Sequence, residues 1–168
     1  NTITIVVGKI ILSTFVTIVF ALLLNEIKNK FMKRSIQTIV YLPNFLSWVI
    51  LATVVVNIFS YEGPINAVLE MLGIEPILFM ASNKWFRSVL IVTDVWKGFG
   101  YGAIIYLAAL SGIDPGLYEA AAIDGANRFK RVWHITLPGI LPTIMLVTIM
   151  NLPNVLNAGF DQIFNLYN

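Results

Sequence analysis

No charged residue interrupts IQTIVYLPNFLSWVILATVVVNIF, from Ile36 to Phe59, or PGILPTIMLVTIMNLPNVLNAGF, from Pro138 to Phe160. Each stretch is long enough to cross the roughly 30 Å hydrocarbon core of a bilayer, which takes about 20 helical residues. Soluble proteins rarely contain uncharged stretches of this length. We therefore predict that both stretches span a membrane.

Two more apolar stretches, Ile3 to Leu24 and Trp85 to Leu110, have the length of membrane spans. The first carries only Lys9, near one end, whereas the second carries three charged residues. The whole chain is 58% hydrophobic and 12% charged, with a mean hydropathy of +0.81. The sequence thus predicts an all-α, polytopic transmembrane bundle with four spans.

The basic residues between the spans predict the orientation of the chain. Four lie between spans one and two and three between spans three and four: Lys28, Lys30, Lys33, Arg34, Arg128, Lys130 and Arg131. Because Lys and Arg concentrate in cytoplasmic loops, both connections are predicted to be cytoplasmic. The loop of residues 60–84 is then external, and Ile65 to Leu72 within it is predicted to form a short interfacial helix.

The ends of the chain indicate a piece of a longer protein. It starts at Asn1 without an initiator Met and ends at Asn168 inside an apolar stretch. The first span is too long for a secretory leader and lacks a small-residue cleavage site. We expect residues 1–168 to form the central part of one transmembrane domain.

The connection DPGLYEAAAIDGANRFKRVWHITL, from Asp114 to Leu137, is much longer than a simple link between helices requires. Asp114 before a proline is a helix-start signal, and Gly125 permits a sharp turn. Phe129, Val132 and Trp133 then follow at the spacing of one helix face. These features predict a cytoplasmic helix-turn-helix. Periodicity and charge alone leave two roles equally open, lying on the lipid headgroups or binding a protein partner.

The spacing of this segment resembles a known signature. Glu119-Ala120-Ala121, three residues, Gly125, nine residues, Ile135, one residue and Leu137-Pro138 match the EAA signature of ABC-importer permeases. Asp124 and Pro142 follow the variant of carbohydrate importers. ALLLNEIKNK, YLPNFLSWVI and LNAGFDQIFNLYN, with the stretch from Ala81 to Ala126, resemble LplB-type permeases for polysaccharides, aldouronates and oligosaccharides. The likeness covers essentially the whole chain.

This resemblance implies a MetI-like permease subunit in the plasma membrane of a bacterium. It would pass a carbohydrate, an oligosaccharide or a polysaccharide fragment, delivered by an extracellular solute-binding lipoprotein. Its other partners would be ABC ATPase subunits, a second homologous permease subunit and membrane lipid, but no nucleic acid. ATP and Mg would bind the ATPase subunits, and this chain would bind no cofactor and catalyse no reaction.

The resemblance also implies roles for individual residues. The residues that couple the permease to the ATPase would be Glu119, Ala120, Ala121, Asp124, Gly125, Ile135, Leu137 and Pro138. Glu119 would pair with a basic group of the ATPase, the two alanines would allow close approach, and Gly125 would permit the turn. Phe129, Val132 and Trp133 would anchor the helix pair to the permease body or to the ATPase.

Other polar and aromatic residues in the spans leave alternatives open. Asp94 and Lys97 share one helix face, where they either neutralise each other or line a sugar pathway. Trp96 and Tyr101 either stack on sugar rings or pack between helices. Asn151, Asn154 and Asn157 either bind hydroxyl groups or join helices. Gly98 and Gly102, four residues apart, are predicted to pack helices closely.

The prolines inside the apolar stretches, Pro43, Pro142 and Pro153, are either simple kinks or breaks that line a pathway.

Several kinds of site are disfavoured. The chain has no cysteine and one histidine, so it offers no thiolate metal site, and we predict neither a metal site nor a catalytic centre. Gly8-Lys9 lacks the Ser or Thr that follows in a phosphate-binding loop, so ATP hydrolysis is expected on a separate polypeptide. The competing classes are a secondary transporter or channel without an ATPase, and an integral-membrane enzyme.

Overall fold

The fold is built from α-helices joined by short connections. A computed structural model describes residues 2–153 and 159–167. The helices are α1 (Thr2–Glu26), α2 (Lys30–Phe45), α3 (Trp48–Phe59), α4 (Pro64–Met71), α5 (Asn83–Ser111), α6 (Pro115–Ile123), α7 (Arg128–Arg131), α8 (Leu137–Asn151) and α9 (Phe160–Tyr167). A π-helical turn, Val132–Thr136, joins α7 to α8. The described residues contain no strand, and the predicted all-α class is confirmed.

Four helical stretches are long and apolar enough to cross a membrane: Thr4–Glu26, Trp48–Met71, Lys84–Ser111 and Arg128–Asn151. Their number agrees with the sequence-based prediction, and the first and third nearly coincide with the predicted spans. The fourth begins well before Pro138, because the π turn continues α7 into α8 without a break. The predicted end of that span, near Phe160, falls partly on residues 154–158, outside the described part of the chain.

The second span differs from the prediction. Residues 36–59 are not one helix, because α2 ends at Phe45 and α3 begins at Trp48. Leu46 between them is extended, and the Ser47 hydroxyl accepts a hydrogen bond from the Ile50 amide at 3.4 Å, which starts α3. The apolar stretch therefore contains a break, and the membrane-length segment starts at Trp48 and continues through α4.

The described prolines differ in their relation to the helices, and whether any of them lines a pathway stays a prediction. Pro43 lies within α2 shortly before it ends, and Pro142 lies within α8, which continues past it. Pro153 lies in the turn after α8. Pro142 is thus accommodated inside a helix, whereas Pro43 directly precedes a break.

Helix α5 is the central helix, and α1 packs along it. Val89 and Leu90 near one end of α5 belong to one buried cluster, and Ala103 and Tyr106 near the other end belong to a second. Ile140 of α8 joins the second cluster and is fully buried. Helices α1, α2, α8 and α9 pack on α5, whereas α3 packs on α9 and α4. Many large apolar side chains are exposed, as expected of a protein surrounded by lipid.

Gly100 is where α2 and α5 approach most closely. A Cβ atom at Gly100 would lie 2.5 Å from both the carbonyl oxygen and Cγ1 of Val40. At Gly98 a Cβ atom would have no neighbour within 4 Å among the described residues, so this part of the structure does not show the close packing predicted at Gly98. At Gly102 a Cβ atom would meet Thr17 at 3.4 Å, an ordinary contact.

The loop between α3 and α5 is folded around one buried amide. Asn66, on α4, is 1% exposed; it accepts from the Ile77 amide at 2.8 Å and donates to the carbonyls of Ser60 and Ile77 at 3.0 Å each. Helix α4 matches the predicted helix at Ile65 to Leu72 within one residue at each end. The role of Asn66 was not predicted.

We expect Asn66→Leu to loosen this loop. The substitution leaves three backbone groups without their partner, and each buried unsatisfied group costs about 1–3 kcal/mol. Hydrogen–deuterium exchange should rise in residues 60–82 and remain unchanged in α1 and α8. Asn57→Leu, at an exposed position of α3, is the matched control. Unchanged exchange in Asn66→Leu would contradict this role.

Candidate functional site

The connection between α5 and α8 forms the predicted helix-turn-helix. The Asp114 carboxylate accepts from the Gly116 amide at 2.9 Å, and Pro115 occupies the first turn of α6. This pairing of an acidic cap with a proline fixes where α6 begins. The predicted helix start is confirmed.

Gly125 ends α6 in a left-handed conformation, with φ of +74°. The Ala126 amide donates to the Ala121 carbonyl at 2.9 Å, and the Gly125 amide donates to the Ala122 carbonyl at 3.2 Å. These two bonds form a Schellman motif, in which glycine avoids the strain that a Cβ atom would introduce. The sharp turn predicted at Gly125 is therefore present.

Asn127 starts the second arm. The role of Asn127 as a helix cap was not predicted from the sequence. Its side chain accepts from the Lys130 amide at 2.8 Å, so it caps α7. Asn is among the preferred residues at this position, so a search for cap residues after Gly125 would have found it. Caps at Asp114 and Asn127 thus define both arms of the segment.

The tip of the helix-turn-helix is open to its surroundings. None of the α6 residues is buried. Glu119, Ala120, Asp124 and Gly125 are exposed, and Ala121 is half-buried. The apolar Ile123 beside the turn is 87% exposed. The structure thus brings the predicted coupling residues of α6 together on one accessible element.

The rest of the signature belongs to the base of α8. Ile135 is half-buried in the π turn, and Leu137 packs on the cluster that contains Ile140. Pro138 lies in the first turn of α8, directly after the π turn, and because proline has no amide hydrogen it donates no hydrogen bond to that turn. These three residues therefore lie where the segment joins the span, and not at the exposed tip.

The predicted anchors divide into two kinds. Phe129 and Trp133 stack on each other, with ring centroids 6.2 Å apart, and are 74% and 61% exposed. Val132 between them is half-buried. Within the described residues, the two aromatic rings are mostly exposed and bury little of their surface against other helices. They form an exposed apolar surface next to the basic residues of α7.

Two polar contacts join the arms of the helix-turn-helix. The Arg131 guanidinium donates from Nε to the Ala126 carbonyl at 3.0 Å, close to the turn. The hydroxyl groups of Tyr118 and Thr136 lie 3.0 Å apart, at the opposite end of α6 and the base of α8. A third contact, Arg128 with Glu26 at 3.5 Å, joins two exposed side chains and contributes little.

The charges at membrane depth have partners other than those predicted. Asp94 pairs with Lys9 of α1 at 3.4 Å. Lys97 donates to the carbonyls of Pro43 at 3.3 Å and Asn44 at 3.1 Å, and also to that of Leu46. The pairing of Asp94 with Lys97, one of the two alternatives considered, is not the ion pair that forms: α1 brings Lys9 to Asp94, and the end of α2 brings three backbone carbonyls to Lys97.

Lys9 belongs to a buried polar cluster. It donates to the side-chain carbonyl of Gln162, which is fully buried in α9. The Gln162 amide donates to the Leu90 carbonyl at 2.8 Å and to the Thr93 hydroxyl at 2.9 Å. Because these groups lie in an apolar bundle, each depends on the others for its hydrogen bonds. The cluster fastens α9 to α1 and α5.

A cavity of about 400 Å³ lies beside the break between α2 and α3. Its lining residues are Trp48, Gly159, Phe160 and Asp161. None of the predicted pathway residues that the structure describes is among them. Lys97 lies behind this cavity, 5.6 Å from the centre of the Trp48 ring.

The remaining predicted pathway residues are scattered. Trp96 is 44% exposed, and Tyr101 packs edge-on against Phe45, with ring centroids 5.9 Å apart. Asn151, the last residue of α8, is half-buried and engaged in a contact. Asn154 and Asn157 lie outside the described residues.

A multi-span helical protein with a capped, exposed helix-turn-helix between two spans is the architecture of an ABC-importer permease core. The comparison with known families agrees. The chain belongs to the family of binding-protein-dependent transport system inner membrane components, whose pattern matches residues 10–160.

Individual relatives are close in sequence and in fold. Protein LplB of Bacillus subtilis is 42% identical over 152 residues, which is 90% of this chain and 48% of LplB. The polygalacturonan/rhamnogalacturonan transport system permease protein YteP of the same organism is 40% identical over 91% of this chain and 48% of its own length. This chain spans about half the length of these relatives.

A solved structure has the same fold. A crystal structure of a bacterial ABC transporter involved in the import of the acidic polysaccharide alginate contains a chain that is 39% identical. The TM-score is 0.93 over 100% of this chain and 59% of that one. The predicted MetI-like permease fold is confirmed over the chain.

The Lys9–Asp94 pair should show strong coupling in a double-mutant cycle. Removing one partner of a buried ion pair costs about 3–5 kcal/mol, and less here because the Asp94 side chain is 35% exposed. We expect Asp94→Asn and Lys9→Met each to lower the thermal stability of the detergent-purified protein, and the double variant to recover part of the loss. In the cycle of Asp94→Asn with Lys97→Met, the coupling should be smaller. Equal coupling in both cycles would contradict the assignment.

Proposed function

We propose that this chain is the central part of a permease subunit of an ATP-driven importer in the plasma membrane of a bacterium. The cargo is a carbohydrate, delivered by an extracellular solute-binding protein. The observation that carries this proposal is the exposed helix α6, which presents the Glu119-Ala120-Ala121 signature between two spans. Family membership and the names of the relatives support it.

The chemistry of α6 suits docking into a cleft of an ATPase subunit. Exposed alanines at positions 120 and 122 leave room for a partner backbone to approach. Glu119 offers an exposed carboxylate to a basic group, and Ile123 offers an apolar side chain next to the turn. Such a surface of small, acidic and apolar groups is a better match for a protein cleft than for anionic lipid headgroups.

The basic arm completes this docking surface. Phe129 and Trp133 present their stacked rings beside Arg128, Lys130 and Arg131. Aromatic residues and Arg are enriched where proteins bind each other. We therefore assign Phe129 and Trp133 to the contact with the ATPase and half-buried Val132 to the permease body.

The other partners follow from this assignment. ATP and Mg would bind the ATPase subunits, and a second homologous permease subunit would complete the pathway. A binding protein would deliver the carbohydrate on the external side. The alginate transporter has been solved in complex with an oligosaccharide-bound periplasmic protein, which supports this arrangement.

The cavity beside the α2–α3 break supports a carbohydrate as cargo. An aromatic ring, such as that of Trp48 or Phe160, packs against the apolar face of a sugar, and a carboxylate such as that of Asp161 accepts hydrogen bonds from hydroxyl groups. Lys97 binds three backbone carbonyls instead. We therefore assign Lys97 to holding the break and not to direct contact with the cargo.

Glu119→Ala tests the proposed contact with the ATPase. In the full-length permease expressed with its genomic neighbours, we expect fewer ATPase subunits to co-purify and uptake to fall in parallel, because the docking surface loses its carboxylate. Glu75→Ala, at an exposed position of the loop before α5, is the matched control and should behave as wild type. Co-purification and uptake are measured on the same membranes.

The outcomes separate the functional classes. If the wild-type permease captures no ATPase subunit but still transports, the protein is a secondary transporter or channel. If it captures the ATPase and Glu119→Ala changes neither capture nor uptake, α6 is not the docking element. If Glu119→Ala loses both ATPase capture and uptake while Glu75→Ala keeps both, the result supports the proposed function.

A further inference from the structure

Helix α6 has no buried apolar face that would fix its position relative to the spans. None of its residues is buried, and the same holds for α7. A helix without a buried face is positioned by its ends and by polar contacts. The Tyr118–Thr136 contact joins α6 to the end of the π turn, whereas Arg131 binds the carbonyl of Ala126, in the turn after α6.

The Tyr118–Thr136 contact reaches the buried part of the protein. Thr136 is 4% exposed and Tyr118 is half-buried. The Thr136 hydroxyl also donates to the Arg131 carbonyl at 3.4 Å. Either hydroxyl can donate in the Tyr118–Thr136 contact; when Thr136 donates to Arg131, its single hydrogen is used and Tyr118 is the donor.

This hydrogen bond lies where the docking segment becomes a span. Thr136 ends the π turn, a type of turn that is often found at functional sites. The next residue, Leu137, packs on the buried cluster with Ile140, and a Cβ atom at Gly139 would touch Ile113 at 2.9 Å. Tyr118, in turn, directly precedes Glu119. The Tyr118–Thr136 hydrogen bond thus connects the docking signature to the packed base of α8.

We propose that the Tyr118–Thr136 hydrogen bond is a brace that makes α6 and the base of α8 move as one body. This inference rests on the proposed function, in which the ATPase displaces α6. Without the brace, α6 pivots about Gly125 and Asp114 and follows the ATPase without carrying α8. Tyr118 and Thr136 are positioning residues, because they act through α6 and α8.

The brace is tested by the distance between α6 and α8 in the complete transporter. The 168 residues contain no cysteine, so spin labels at Leu117→Cys and Leu146→Cys report on these helices once cysteines elsewhere in the complex are replaced; both positions are exposed and lie outside the docking surface assigned above. Distances are measured by pulsed electron resonance on the assembled complex, without nucleotide and with MgATP. We expect a narrow distribution that MgATP leaves unchanged.

Removing either hydroxyl should abolish this behaviour. In Tyr118→Phe and in Thr136→Val, the distribution should broaden and shift on addition of MgATP, and the double variant should match each single one. Thr136→Ser retains the hydroxyl and should restore the narrow distribution, which separates the hydrogen bond from a general loss of packing. Tyr61→Phe, in the turn before α4, and Thr148→Val, whose hydroxyl bonds to Ile144 of its own helix, are the matched controls.

Several results would contradict the brace. If wild type already changes with MgATP, or if both Tyr118→Phe and Thr136→Val keep its narrow distribution while ATPase subunits remain bound, the brace does not exist. If wild type retains no ATPase subunit, the proposed function fails and the brace fails with it. Should Tyr118→Phe not assemble, the Thr136→Val and Thr136→Ser pair decides the question alone.

Discussion

The absence of water in a bilayer is the constraint on which this structure depends, because each backbone polar group there must find a partner within the protein. Hydrogen bonds within the helices provide partners for most of these backbone groups. Where α2 ends inside an apolar stretch, the ammonium group of Lys97 binds the carbonyls of Pro43, Asn44 and Leu46. A cation at a helix C-terminus is also favoured by the helix dipole. The break, with Trp48 directly after it, exists because α5 supplies this charge.

The same constraint separates the functional parts of the chain. Within the bundle, polar side chains such as Lys9 and Gln162 serve one another and the backbone. At the helix-turn-helix, by contrast, the caps Asp114 and Asn127 and the Schellman turn at Gly125 satisfy the helix ends locally. Helix α6 can therefore remain unburied and exposed to a partner. Leu137, in contrast, packs α8 against the buried cluster of the bundle.

Local features of the sequence predicted local structure well. Asp114, Gly125 and the apolar stretches determine helix starts, turns and lengths through interactions within a few residues, so the helix-turn-helix and the number of spans were predictable. The break at Leu46 was not, because its stability depends on Lys97, 51 residues away. The partner of Asp94 and the close approach at Gly100 likewise depend on which helix faces α5, and single-sequence patterns do not contain that information.

Docking of α6 on an ATPase subunit is tested most directly by cross-linking from two matched apolar positions. Ile123, beside the Gly125 turn, is 87% exposed, and Met71, at the end of α4, is 86% exposed. A photoreactive amino acid is placed at each position in the full-length permease, assembled with its partners in membranes. Docking predicts a covalent product with the ATPase subunit from position 123 and none from position 71. No ATPase product from position 123, or equal products from both positions, would contradict it.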